Sequence, residues 1–213
     1  MRYKGSIYRP PSEARSYLLQ VTLGCAHNRC RFCSMYREKP FRIRPVEEVI
    51  EDLHMAREYF KYIDRVFLCD GDALCLPNDK LVYIIEKVFE ILPEVSRVSM
   101  YGSPKDVLNK RDEELLELKK KGVEFIYIGA ESGSDEVLKN IEKGATRQEI
   151  IEAVKKIEKS GIKASVTFIS GLGGKKHWKE HAVETGTMIN TPAEETVTLT
   201  AGAQDSGSGT AAL

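Results

Sequence analysis

The sequence predicts an α/β protein built on a parallel sheet. Three observations predict it. Short apolar runs rich in β-branched and aromatic residues recur along the chain, longer segments of helical periodicity separate them, and chemically distinctive residues follow the runs. Strands alternating with helices imply right-handed βαβ crossovers, hence parallel strands.

The elements follow in order. Ser16 to Leu23 is an apolar run stopped by Gly24 and reads as a buried strand. A long loop then carries cysteines. Pro45 marks a helix start, with Glu47 and Glu48 in the first turn and Val49, Ile50, Leu53 and Met55 following. Arg65–Cys69 reads as a strand and Asp79–Leu92 as a helix. Arg97–Tyr101 is a strand, and Lys105–Lys121 a helix ended by Gly122. Glu124–Ile128 is a strand, followed by helices from Asp135 and Arg147. Lys163–Ser170 is a strand and Lys175–Asn190 a helix, and Thr196–Thr200 offers a sixth strand.

The composition suits one large domain. The chain has 213 residues, 42% of them hydrophobic, enough for a sizeable core. Lys+Arg and Asp+Glu are both 32, so bulk charge does not indicate nucleic acid or an acidic membrane surface as partner. No signal-peptide h-region and no run of about 18 apolar residues is present. A cytoplasmic setting, with reduced thiols, is the expectation.

The core domain is expected over residues 1–190. Beyond Lys179 there is neither Lys nor Arg, and residues 191–213 turn into Thr, Ala, Gly, Ser and Glu. Either this is a solvated, flexible tail, or a native C-terminal part has been truncated or replaced.

The five cysteines are Cys25, Cys30, Cys33, Cys69 and Cys75. An odd number, with three in a C-x4-C-x2-C cluster directly after a strand, makes a poor disulfide framework and a good metal-ligand pattern. Thiolates suit iron–sulfur clusters and zinc alike. Three protein ligands on a four-iron cluster leave one iron open to a substrate. Zinc in a closed structural site wants a fourth ligand, which His27, Cys69 or Cys75 would supply. Spacing alone leaves both open.

The segment Gly24-Cys25-Ala26-His27-Asn28-Arg29-Cys30-Arg31-Phe32-Cys33-Ser34-Met35-Tyr36 resembles the signature of the radical S-adenosylmethionine superfamily. It looks most like the branch sharing a core with Elongator, methylthiotransferases and oxygen-independent coproporphyrinogen oxidase. Phe32 fills the aromatic position before the last cysteine, and the first gap is one residue longer than the commonest form. The resemblance implies a parallel (β/α) partial barrel, open and incomplete on its C-terminal side. It implies a [4Fe-4S] cluster on Cys25, Cys30 and Cys33, with S-adenosylmethionine chelating the fourth iron. One electron, from a donor such as flavodoxin or ferredoxin, then cleaves the cofactor to methionine and a 5′-deoxyadenosyl radical that takes hydrogen from a substrate.

Ligands of parallel α/β folds collect at the carboxyl ends of strands. Asp70-Gly71-Asp72 resembles the family's Gly-Gly-Glu-like element, so the resemblance places Asp70, Gly71 and Asp72 beside the cofactor's amino group. An Asp-Gly-rich turn is the simpler reading. Gly129-Ala130-Glu131-Ser132-Gly133-Ser134 resembles the Gly-x-Glu-Ser-Gly-Ser element, which puts Glu131 and Ser132 near the cofactor's ribose and methionine parts. Ser134 or Asp135 reads as a helix cap. Gly171-Leu172-Gly173-Gly174 resembles the element beside the adenine, implicating Gly171. Tyr101-Gly102-Ser103 either lines the site or packs.

Other residues take plainer readings. Cys69 and Cys75 read as small buried hydrophobes, and His54, His177 and His181 as single histidines rather than metal pairs. Arg37 to Arg44 is either a contact for an anionic substrate or a solvated crossover. Two rivals stand beside the enzyme: a zinc-stabilised binding module and an iron–sulfur electron-transfer protein.

Overall fold

The computed structural model describes residues 2–190. Its parallel sheet contains β1 (Tyr17–Gln20), β4 (Arg65–Cys69), β5 (Arg97–Tyr101), β6 (Val123–Glu131) and β7 (Lys163–Phe168), paired in that order. The register runs Gln20 to Cys69, Leu68 to Met100, Tyr101 to Tyr127 and Gly129 to Thr167. All five strands therefore deliver their carboxyl ends to one edge. The expected sixth strand at Thr196–Thr200 and the expected tail lie outside the described residues.

Helices cover one face of the sheet. They are α1 (Val46–Tyr59), α2 (Asn78–Ile91), α3 (Pro104–Asn109), α4 (Asp112–Lys120), α5 (Asp135–Asn140), α6 (Arg147–Lys159) and α7 (Gly174–Ile189). In α1, Val49, Leu53 and Ala56 recur at helical spacing and are buried. In α6, Ile150, Ala153, Val154 and Ile157 do the same, and the Thr146–Glu149 capping box starts the helix. These stripes meet Val66, Leu68, Val98, Met100, Ile126 and Ile128 in the main core.

Strand alternation sends Phe67, Cys69 and Tyr127 to a second, smaller cluster. The Phe67 ring lies edge-on to Tyr101 at 4.9 Å and to Tyr127 at 5.7 Å. Glu13, fully buried in an N-terminal 3-10 turn, accepts from Tyr127 Oη at 2.6 Å and pairs with Arg97 at 3.1 Å. The first residues of the chain are thereby tied to the aromatic face.

Two elements differ from expectation. The run from Ser16 is not one strand. It breaks at Val21, whose N–H donates to Cys69 O, and Thr22–Leu23 (β2) turns away to pair antiparallel with Arg42–Ile43 (β3). The expected helix from Lys105 to Lys121 is two helices, α3 and α4. Lys110 is extended at ψ 143°, because a new helix starts after Arg111, whose N–H donates to Glu114 Oε2 at 2.7 Å, and Lys110 Nζ reaches Leu76 O at 2.6 Å. Among the described residues no helix is long and apolar enough to cross a membrane.

Candidate cofactor site at the carboxyl edge

The β2–β3 ribbon closes the base of the cysteine loop, which runs from Gly24 to Phe41. Gly24 sits at φ +72°, and a Cβ there would stand 2.5 Å from Lys39 O, so the two strands of the loop base can approach only at a glycine. Beside it, buried Asp70 gathers the loop base. Its Oδ2 accepts from Gln20 Nε2 at 3.1 Å, Gly24 N at 3.1 Å and Lys39 Nζ at 2.7 Å. Its own N–H donates to Thr22 Oγ1 at 3.1 Å. The Asp70 carboxylate thus joins the ends of β1 and β4 to both sides of the loop. Lys39 and Arg44 were read in sequence only as part of a basic stretch. Arg44 is buried too, on Asp52 at 2.8 Å and Gln20 O at 2.7 Å.

Cys25, Cys30 and Cys33 are free, half-buried thiols. Burial pushes the Cys25 and Cys30 thiols up, so uptake of a metal centre there must release protons. Gly71 passes so close to Cys25 that a Cβ on it would lie 3.0 Å from the Cys25 Cβ and 2.7 Å from the Tyr36 ring. Phe32 is half-buried against the main core. Among the described residues no three His, Cys, Asp or Glu side chains are grouped to hold a single metal ion. The His27 ring is occupied elsewhere: Nε2 donates to Glu142 O at 2.7 Å and the ring packs on Gly144. Arg31 joins the same loop, pairing with Glu142 at 2.6 Å. Cys69 is fully buried, and the Cys75 thiol, pushed up to about 12 by burial, contacts Asp72 O at 3.0 Å.

Asp72 is buried, and desolvation together with the neighbouring Asp106 pushes its carboxyl well above the usual range. Asp70 Oδ1 and Asp72 Oδ1 are buried acceptors without a partner among the described residues. Ser103 caps α3 by accepting from Asp106 N, and Gly102 packs against Leu74 and Ile126.

Glu131 ends β6 at φ +70°, where the β6–β7 register shifts. Its Oε1 folds back over Gly129, where a Cβ would collide with it, and meets Lys143 Nζ at 3.3 Å. Burial raises the Glu131 carboxyl and Lys143 opposes that rise. Ser132 is fully buried. Its hydroxyl donates to His181 Nδ1 at 2.8 Å and accepts from Ser134 N at 3.0 Å, while His181 Nε2 donates to Ile169 O at 3.0 Å. Thr185 Oγ1 accepts from Gly133 N at 2.9 Å, and Ser134 Oγ donates to Glu180 at 2.7 Å. The turn after β6 is therefore a docking strip for α7, and His181 is its centre; sequence spacing carried no sign of this long-range contact. Gly171 lies in an open loop, with nothing within 4 Å of where a Cβ would stand.

Gly133 makes the closest approach of that strip. A Cβ there would lie 2.5 Å from Glu184 O and 2.7 Å from Thr185 Cα, both backbone atoms that cannot swing aside. Gly133→Ala is expected to lower stability by about 1–3 kcal/mol through overpacking. Urea unfolding of the cofactor-free chain measures it, and a wild-type midpoint would contradict the docking.

A parallel sheet whose first strand opens into a three-thiol loop, with buried acceptors beside it, defines an α/β protein with its distinctive polar and thiol groups gathered at the carboxyl edge. The chain belongs to the radical SAM superfamily, whose sequence model matches residues 19–185. It is 31% identical over 157 residues to a Methanocaldococcus jannaschii protein named as a methylthiotransferase, covering 71% of this chain and 34% of that one. It is 26% identical over 186 residues to tRNA-2-methylthio-N(6)-dimethylallyladenosine synthase of Bdellovibrio bacteriovorus, covering 84% of this chain and 40% of that one. Among solved structures, the cobalamin-dependent S-adenosylmethionine radical enzyme OxsB superposes with a TM-score of 0.62 at 21% identity, over 81% of this chain and 26% of that one. The chain thus spans about a third of the length of the curated relatives it matches. The cofactors of the superfamily are a [4Fe-4S] cluster and S-adenosylmethionine, and its reactions need a substrate and a reductant.

Proposed function

We propose that this chain is the catalytic core of a radical SAM enzyme, with Cys25, Cys30 and Cys33 as cluster ligands. The observation that carries the reading is the loop itself: three free thiols after the first strand, at an edge where buried acceptors lack donors. When bound, the cluster and S-adenosylmethionine supply a one-electron reductive cleavage that yields methionine and a 5′-deoxyadenosyl radical able to abstract hydrogen. The chain's own residues do the holding. Asp70 and Lys39 fix the loop base, Gly71 lets the backbone pass beside Cys25, and the Asp70 and Asp72 oxygens offer acceptors to an ammonium group. Glu131 and Gly171 stand at the next strand ends along the same edge, where the ribose and adenine would lie. Ser132 acts from behind, by holding α7.

Methylthio transfer is the reaction that the relatives' names favour, and a flavodoxin- or ferredoxin-type protein is the donor class. A cytoplasmic enzyme fits this oxygen-sensitive chemistry. Nothing among the described residues favours the zinc rival: no three His, Cys, Asp or Glu side chains are grouped to hold a single ion, and the His27 ring packs on Gly144. Anaerobic reconstitution with iron and sulfide, followed by dithionite and S-adenosylmethionine, is expected to give 5′-deoxyadenosine. A fully loaded, folded protein that makes none refutes the enzyme reading and leaves the electron carrier.

A further inference from the structure

Arg37 was read in sequence as one member of a basic stretch. Its guanidinium instead folds back onto the cysteine loop. Nε donates to Cys33 O at 3.0 Å, and a terminal nitrogen donates to Cys30 O at 2.6 Å. Cys30 O also accepts from Cys33 N at 3.2 Å. One planar cation therefore spans the carbonyls of two of the three cysteines and closes the turn between them. The remaining local bonds are sparse: Arg37 N to Ser34 O, Lys39 N to Tyr36 O, and Asn28 Nδ2 to Tyr36 O at 2.8 Å. Among the described residues no helix or strand lies within the loop from Gly24 to Phe41.

We infer that Arg37 is a positioning residue of the cluster loop, its guanidinium fork setting the spacing of Cys30 and Cys33 while its charge favours the reduced cluster. The inference rests on the cluster reading above. Two properties of arginine carry it. The fork is rigid, so two carbonyls are held at once, which a single ammonium cannot do. The charge is permanent and sits beside the backbone that carries two of the thiolates. Adding an electron to the cluster makes the loop more negative, and a fixed cation stabilises that state. The side chain is exposed, so its contribution to the fold without cofactor is small. Its effect belongs to the loaded protein.

The test compares wild type, Arg37→Lys and Arg37→Ala after anaerobic reconstitution with iron and sulfide. Three quantities are read: the melting midpoint of each cofactor-free chain, the rate at which a ferrous chelator strips the cluster, and the midpoint potential from a redox titration followed by electron paramagnetic resonance. The expected result is three similar melting midpoints. Arg37→Ala sheds its cluster about tenfold faster than wild type, in the range for loss of an outer-shell partner, and its potential moves negative. Arg37→Lys keeps the wild-type potential but sheds the cluster as the alanine variant does. A wild-type lifetime in Arg37→Ala, or full rescue by lysine, overturns the fork. An unmoved potential in Arg37→Ala overturns the charge. A wild-type chain that takes up no iron and sulfide overturns the cluster reading itself, and is distinguished by failing before any variant is compared.

Discussion

Cys30→Ala is expected to abolish cluster assembly and to reduce 5′-deoxyadenosine formation to the level of buffer. Three sulfurs are the whole protein contribution to the proposed centre, and no neighbouring thiol stands ready as a substitute. Cys69 is fully buried at the end of β4, and the Cys75 thiol rests on Asp72 O. Burial also pushes the Cys25 and Cys30 thiols up, so these two must be deprotonated against their surroundings and the metal has to drive that step. With one ligand missing the drive is smaller and the loop has no second way to hold the cube. The measurement is iron and sulfide content beside the visible spectrum and the cleavage assay. His27→Ala is the companion: its ring contacts Glu142 O and Gly144, so iron content should persist. If His27→Ala loses the metal as Cys30→Ala does, and zinc is found in the wild type, the proposed cluster is wrong.

Asp70→Ala is expected to destabilise the cofactor-free chain by about 3–5 kcal/mol, the usual result of removing one partner of a buried ion pair. Lys39 Nζ, with its side chain 14% exposed, keeps the neutral partners Ser6 O and the Tyr36 ring face when Asp70 is gone, and no carboxylate. The Gly24 N–H and the Gln20 amide lose their acceptor in a buried place. For a chain of this size that corresponds to a drop of roughly 10 °C in the melting midpoint. Asp70→Ala combined with Lys39→Met removes the stranded cation and should recover part of the loss, because the two residues interact directly. Additive losses in that double variant would show that the two side chains do not depend on each other.

These predictions separate what was legible in the chain from what was not. The strands at Arg65–Cys69 and Arg97–Tyr101 coincide with their apolar runs, and α5 and α6 start at Asp135 and Arg147 as expected, with Ser134 capping the first. Such signals are local, so a few neighbouring residues suffice to read them. The run from Ser16 misled because its apolar character continues through Leu23, while the strand's partner changes at Val21. Lys105–Lys121 misled because its periodicity hides the fresh helix start at Arg111, whose N–H is held by the Glu114 carboxylate. Ser132 was grouped with the cofactor contacts because of its motif, and its hydroxyl is committed to a histidine 49 residues away.

By itself, the sequence determined the alternating α/β class, the three-thiol loop after the first strand and the order of the other loops along the carboxyl edge. All of these follow from spacing between near neighbours. Only the tertiary structure decided what holds that loop: Asp70 beneath it, Glu142 under His27 and Arg31, Arg37 across two cysteine carbonyls, and α7 against the turn after β6. The reason is physical. A buried charge or a loop carbonyl must find its partner wherever the folded chain brings one, and Asp70 with Lys39, or Ser132 with His181, are strangers in sequence that desolvation makes neighbours.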